Sequence, residues 1–116
     1  MSNDNHPLVS TGETVPNGQD TFDVLSNPSL MYAQDHFYFT FEATTQKLPN
    51  TSGVYLVKLD HGNVHMISLV DPSVPFDGGR VINAKLGSIS IRNNNIPVSV
   101  EFKSGYYGIY LFQMKE

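Results

Sequence analysis

The sequence predicts an all-β fold, an antiparallel β-sandwich or jelly-roll-like barrel of about seven or eight short strands with a flexible N-terminal arm. Three observations predict it. Apolar residues alternate with period two in several short runs from His36 onward. Gly, Pro and Asn clusters interrupt those runs at regular intervals. No stretch longer than two turns keeps a helical period.

Residues 1–21 hold Pro7, Gly12, Pro16 and Gly18 among many Ser, Thr, Asn and Asp. Leu8, Val9 and Val15 are their only strongly apolar side chains past the initiator, too few to offset the ordering entropy of the segment. The expectation is an arm over 1–21, without Lys or Arg, and a single β domain over 22–116. Thr21–Leu25 reads as a short strand. Asn27-Pro28 reads as a helix start, with Ser29–Gln34 making one or two turns.

In the next run Phe37, Phe39, Phe41 and Ala43 share a face and are assigned to the core, with Tyr38, Thr40 and Glu42 outward. Gly53–Asp60 and Asn63–Val70 flank Asp60-His61-Gly62-Asn63, a tight hairpin break. Both are apolar on two faces, which predicts central strands or a face covered by a partner. Asp71–Gly79 is a long Pro- and Gly-bearing connection. Arg80–Lys85 and Ser88–Arg92 form a strand interrupted near Gly87, with Ile89 and Ile91 inward. Asn93-Asn94-Asn95 is a turn. Pro97–Lys103 alternates with Val98, Val100 and Phe102 inward, and Tyr107–Met114 is a last apolar strand.

With 116 residues and no cysteine, the chain is one domain without disulfides, thiolate metal sites or a cysteine nucleophile. Its net charge is −4, and its seven Lys and Arg residues are never adjacent. Phosphate backbones and anionic membranes call for clustered cations, so neither nucleic acid nor membrane is expected as a partner. No apolar run has the length of a membrane span. Met1-Ser2-Asn3-Asp4-Asn5-His6 lacks the basic and apolar regions of a secretion signal, so a cytoplasmic or virion-associated location is expected over a secreted one. Asn50-Thr51-Ser52 then reads as a polar loop, not a glycan site.

Catalytic signals are missing. There is no G-x-S-x-G, and the carboxylates are dispersed. Asp77-Gly78-Gly79-Arg80 precedes a strand, where a phosphate loop opens onto a helix. His61 and His65 straddle a turn, so their spacing does not place two imidazoles on one helix face. No metal site or cofactor is therefore expected, and a small metal-dependent protein around Asp60, His61 and His65 is the least favoured reading.

The leading expectation is a non-enzymatic structural or interaction domain that self-associates, as dimer or trimer, or joins a larger assembly. Its interface would draw on Leu8, Val9, Val15, Val54, Leu56, Val64 and Met66, because a small sandwich covers only one face of each sheet. A polar arm on an acidic, cysteine-free β domain is the build of a viral or phage surface or decoration protein, an architectural analogy carried by no motif. The alternative is a ligand- or carbohydrate-binding module using exposed tyrosines, six of which accompany seven phenylalanines.

Overall fold

The computed structural model describes residues 6–87 and 95–113. Within them the chain forms seven strands and no helix: β1 (Phe22–Ala33), β2 (His36–Thr45), β3 (Gly53–Asp60), β4 (Asn63–Val70), β5 (Val81–Leu86), β6 (Asn95–Phe102) and β7 (Tyr107–Gln113). The predicted core positions Ile89 and Ile91 and the strand 88–92 lie outside the described residues.

The strands build two antiparallel sheets, β1-β2-β3-β4 and β5-β6-β7. Sequence neighbours are always spatial neighbours, so each sheet is a meander and only residues 71–80 cross between them. This is the sandwich of the two expected architectures. Its inter-sheet core joins Met31, Tyr38, Val54, Leu56 and Val70 of one sheet to Val81, Ala84, Ile96, Val98, Val100 and Phe102 of the other. Ser52 ties the sheets at one end, donating from Oγ to Ala84 O at 2.9 Å and accepting from Ala84 N at its own carbonyl, also at 2.9 Å.

Two hairpins of the larger sheet turn in two residues. Ala33 pairs with His36 across Gln34 and Asp35, and Asp60 pairs with Asn63 across His61 and Gly62. All four turn residues have positive φ, the left-handed pair that a right-twisted hairpin requires. The connection 71–80 carries a third such turn at Asp77-Gly78, closed by two hydrogen bonds between Phe76 and Gly79. It seats the Phe76 ring 4.9 Å from that of Tyr110 and 6.1 Å from that of Phe112, closing one end of the core.

Four expectations are corrected. Residues 29–33 are strand and Gln34 is a turn residue, not helix. Leu30 and Tyr32 are exposed while Met31 and Ala33 are buried, a period of two, and so short a segment cannot stabilise its own helix nucleus. Asn27-Pro28 is instead a bulge between Ser26 and Ser29, with Asn27 at φ 51°. An edge strand tolerates the missing proline N–H there.

The faces of β2 are also assigned differently. Tyr38, Thr40 and Glu42 are buried, with Tyr38 in the inter-sheet core. Phe41 and Ala43 are buried on the opposite face, Phe39 is half-buried and Phe37 is exposed. Both faces of this central strand are covered, so alternation alone does not say which one meets the second sheet.

Residues 11–21 are fastened to the domain and are no free arm. Gly12 N donates to Phe22 O and Phe22 N to Glu13 O, each at 2.9 Å, and Val15 N donates to Asp20 O at 3.0 Å. Val15 is buried with Phe22, Phe41, Ala43, Tyr55 and Val57. Backbone hydrogen bonds plus one well-placed valine do what overall composition did not suggest.

The fourth correction concerns the central placement of β4, which is an edge strand with Val64 and Ile67 exposed. Of the two strands 53–60 and 63–70, β3 alone, buried from Gly53 to Val57, is central with two covered faces.

Candidate functional site

The outer face of the larger sheet is apolar along its whole length. Register places Tyr32 and Leu30 of β1 beside Phe37 and Phe39 of β2, then Leu59 and Val57 of β3, then Val64 and Met66 of β4. One half of this face is closed. Phe22, Phe41 and Tyr55 pack with ring centroids 5.0–5.5 Å apart beneath Val15. Burial raises the Tyr55 phenol far above its ordinary range, helped by the charges of Asp71 and Asp20.

Nothing in the described chain closes the other half. Leu30, Tyr32, Phe37 and Val64 are between 44 % and 69 % exposed, beside half-buried Phe39, Leu59 and Met66. The Tyr32 and Phe37 rings sit 4.8 Å apart on this surface. None of the seven side chains is charged. Next to the patch, Leu8, Val9, Leu25, Pro28, Leu30 and Phe39 line a groove of about 380 Å³.

Of the side chains expected at an interface, Val64 and Met66 belong to this patch, and Leu8 and Val9 line the groove. Val54, Leu56 and Val15 are spent inside the chain and offer nothing to a partner. Val54 and Leu56 face the second sheet, whereas Val64 and Met66 lie on the opposite face. The missed members are Leu30, Tyr32, Phe37, Phe39 and Leu59. A period-two reading of residues 30–33 would have placed the first two.

A second exposed apolar row runs along the edge strand β7, where Tyr107, Ile109 and Leu111 face outward. Its register partners on β6 are Glu101, Ser99 and Pro97, so polar side chains break the patch after one strand.

At the hairpin tips of the larger sheet, His36, Asp60 and His61 converge. Asp60 Oδ1 is 3.3 Å from His36 Nε2 and 3.6 Å from His61 Nε2, and potential ligand atoms of the three residues lie within 4.8 Å of one another. His65, suggested by sequence spacing, is not in the group. It pairs with Lys58, further along the strands.

The connection 71–79 forms two smaller features. Asn17 Nδ2 donates to Asp71 Oδ2 at 3.0 Å and to Ser73 Oγ at 3.2 Å, holding an open groove whose walls include Lys47 and Arg80. The Lys47 ammonium there is committed to Gln19 O at 2.6 Å. What burial Asp20 has pushes its carboxyl up, but hydrogen bonds from the Thr45 side chain and the Thr21 and Lys47 amides hold it below its ordinary value. On the other side, Tyr110 Oη donates to Asp77 Oδ2 at 2.7 Å. That bond and the neighbouring carboxylate charge raise the phenol to about 12.

No family model, curated protein or solved structure matches the chain. Its function is therefore argued from these sites alone.

Proposed function

We propose that this protein is a non-enzymatic interaction module that self-associates through the outer face of its larger sheet. The observation that carries the reading is the uncovered half of that face, a charge-free patch of Leu30, Tyr32, Phe37, Phe39, Leu59, Val64 and Met66. The largest contiguous apolar patch on a soluble chain is often a functional surface. Covering one is worth ~25 cal/mol per Å² of apolar surface, before association costs.

A second copy is the fitting occupant. Two chains of net charge −4 repel wherever charges meet, and this surface presents none. A two-fold axis lays such a patch on itself, Tyr32 and Phe37 providing the aromatic centre. A paired module of this kind suits a subunit of a larger assembly, including the viral or phage surface proteins that the architecture suggests.

Sedimentation velocity over a concentration series tests the reading. The full-length chain should form a dimer, and Leu30→Asp or Phe37→Asp should shift it to a folded monomer whose melting temperature no longer depends on concentration. A wild-type chain that stays monomeric at high micromolar concentration would sink the proposal.

A second reading, carbohydrate binding, has one observation in its favour. Tyr106 is exposed beside Tyr110, Asp77 and Ser104 around a notch of about 170 Å³, an aromatic surface next to polar groups. Glycan binding abolished by Tyr106→Ala would support it, and a full glycan screen without a hit would dismiss it.

A further inference from the structure

The geometry points to a divalent metal site at the tips of the two hairpins of the larger sheet, with His36 Nε2, Asp60 and His61 Nε2 as ligands and a borderline transition cation of the zinc class as occupant. It stands apart from the self-association reading and uses none of the patch side chains.

The first argument is the state of His36. Its Nδ1 lies 2.8 Å from Gln34 O. A carbonyl only accepts, so Nδ1 carries a hydrogen, and in the neutral ring Nε2 presents a lone pair. Asp60 Oδ1, itself an acceptor, lies 3.3 Å from that nitrogen. Two acceptors facing each other need a cation between them, either a proton that turns the ring into an imidazolium or a metal ion, and the spacing separates the two. An imidazole fixed through Nδ1–H to a backbone carbonyl, with Nε2 free, is also the usual arrangement of a metal-binding histidine.

The second argument is spacing. A charge-assisted N–H···O bond closes to about 2.7–2.9 Å. Asp60 Oδ1 instead stands 3.3 Å and 3.6 Å from the two imidazole nitrogens. A tetrahedral zinc ion with ligand bonds of about 2.0–2.1 Å separates neighbouring ligand atoms by roughly 3.3–3.4 Å. These two gaps are long for hydrogen bonds and close to the edges of a coordination polyhedron, and the third edge, between the imidazoles, lies within 4.8 Å.

The third argument is placement. His36 follows the Gln34-Asp35 turn, and His61 occupies the first position of the neighbouring turn with φ 49°. Asp60 lies opposite His36 because β2 and β3 pair Phe37 with Leu59. Two rigid hairpins thus supply the ligands, and the His61 side chain, 92 % exposed, is free to adjust onto an ion. Two nitrogens and one carboxylate oxygen suit zinc, with the remaining position open to water. A bound ion would clip the hairpins together at the open end of the sheet.

Zinc chloride titrated calorimetrically into the full-length chain should show about one ion bound per chain and raise its melting temperature. His61→Ala changes an exposed turn side chain, and His36→Gln keeps a polar side chain at its position. Each should weaken zinc binding about tenfold or more, while His65→Ala should leave it unchanged. Cobalt(II) should give the intense visible absorption of a low-coordinate site in the wild type and lose it in His36→Gln. No binding heat and no melting shift with zinc would overturn the assignment. So would binding that survives both cluster variants or that His65→Ala abolishes.

Discussion

Glu42→Ala probes a contact on which three strands depend. Glu42 lies mid-strand in β2 and is only 5 % exposed. Its Oε2 accepts from Leu86 N at the end of β5 at 2.9 Å and from Asn27 Nδ2 at the β1 bulge at 3.0 Å. Among the described residues no Lys or Arg pairs with it. Asn27 is exposed, so water can replace its bond. Leu86 is half-buried, and truncating Glu42 strands its N–H at a cost of ~1–3 kcal/mol. The lost methylene adds about 1 kcal/mol, and relief of an unpaired buried charge subtracts a similar amount. The expected destabilisation is therefore about 2 kcal/mol, or roughly 6–10 °C in melting temperature for a chain of this length. Glu42→Gln keeps an acceptor and the volume and should cost below about 1 kcal/mol. Urea unfolding of the two variants, with slopes compared, measures the difference. Equal midpoints for Ala and Gln would refute the claim that acceptance by Oε2 holds the sheets in place.

Three further outcomes are expected. Phe22→Ala, inside the closed half of the outer face, should cost ~3–5 kcal/mol in denaturant unfolding, whereas Phe37→Ala on the open half should cost below about 1 kcal/mol in the monomer. A Cβ at Gly53 would stand 2.7 Å from Val70 O and 2.8 Å from Pro72 Cδ. Gly53→Ala should thus destabilise by ~1–3 kcal/mol, and more than Gly108→Ala, whose Cβ meets side-chain atoms of Tyr110 where that of Gly53 meets backbone. In an alkaline titration followed by phenolate absorbance, a step at about 12 should belong to Tyr110 and vanish in Tyr110→Phe. Because the folded-state value lies above the ordinary 10, the Tyr110–Asp77 bond contributes stability that is complete below pH 10 and is lost as pH rises through about 12.

The sequence by itself determined the strand class, most strand positions and the turn at His61-Gly62. The Asp60-His61-Gly62-Asn63 break is legible because a two-residue hairpin demands positive φ and glycine supplies it, and the Val98, Val100, Phe102 alternation marks a half-buried strand from local information alone. Tertiary structure decided which face of each strand is covered by what. Tyr38, Thr40 and Glu42 look like a solvent face until a second sheet is laid over them, and Phe37 looks like core until that sheet is found on the other side. The difference is physical: alternation records that two faces differ, and only packing says which face loses its water. The same holds for the candidate sites. Asp60 and His61 are adjacent in the chain, but His36 joins them through the β2–β3 register. The open apolar patch exists because Val15 reaches Phe22, Phe41 and Tyr55 and no described residue reaches Tyr32 and Phe37.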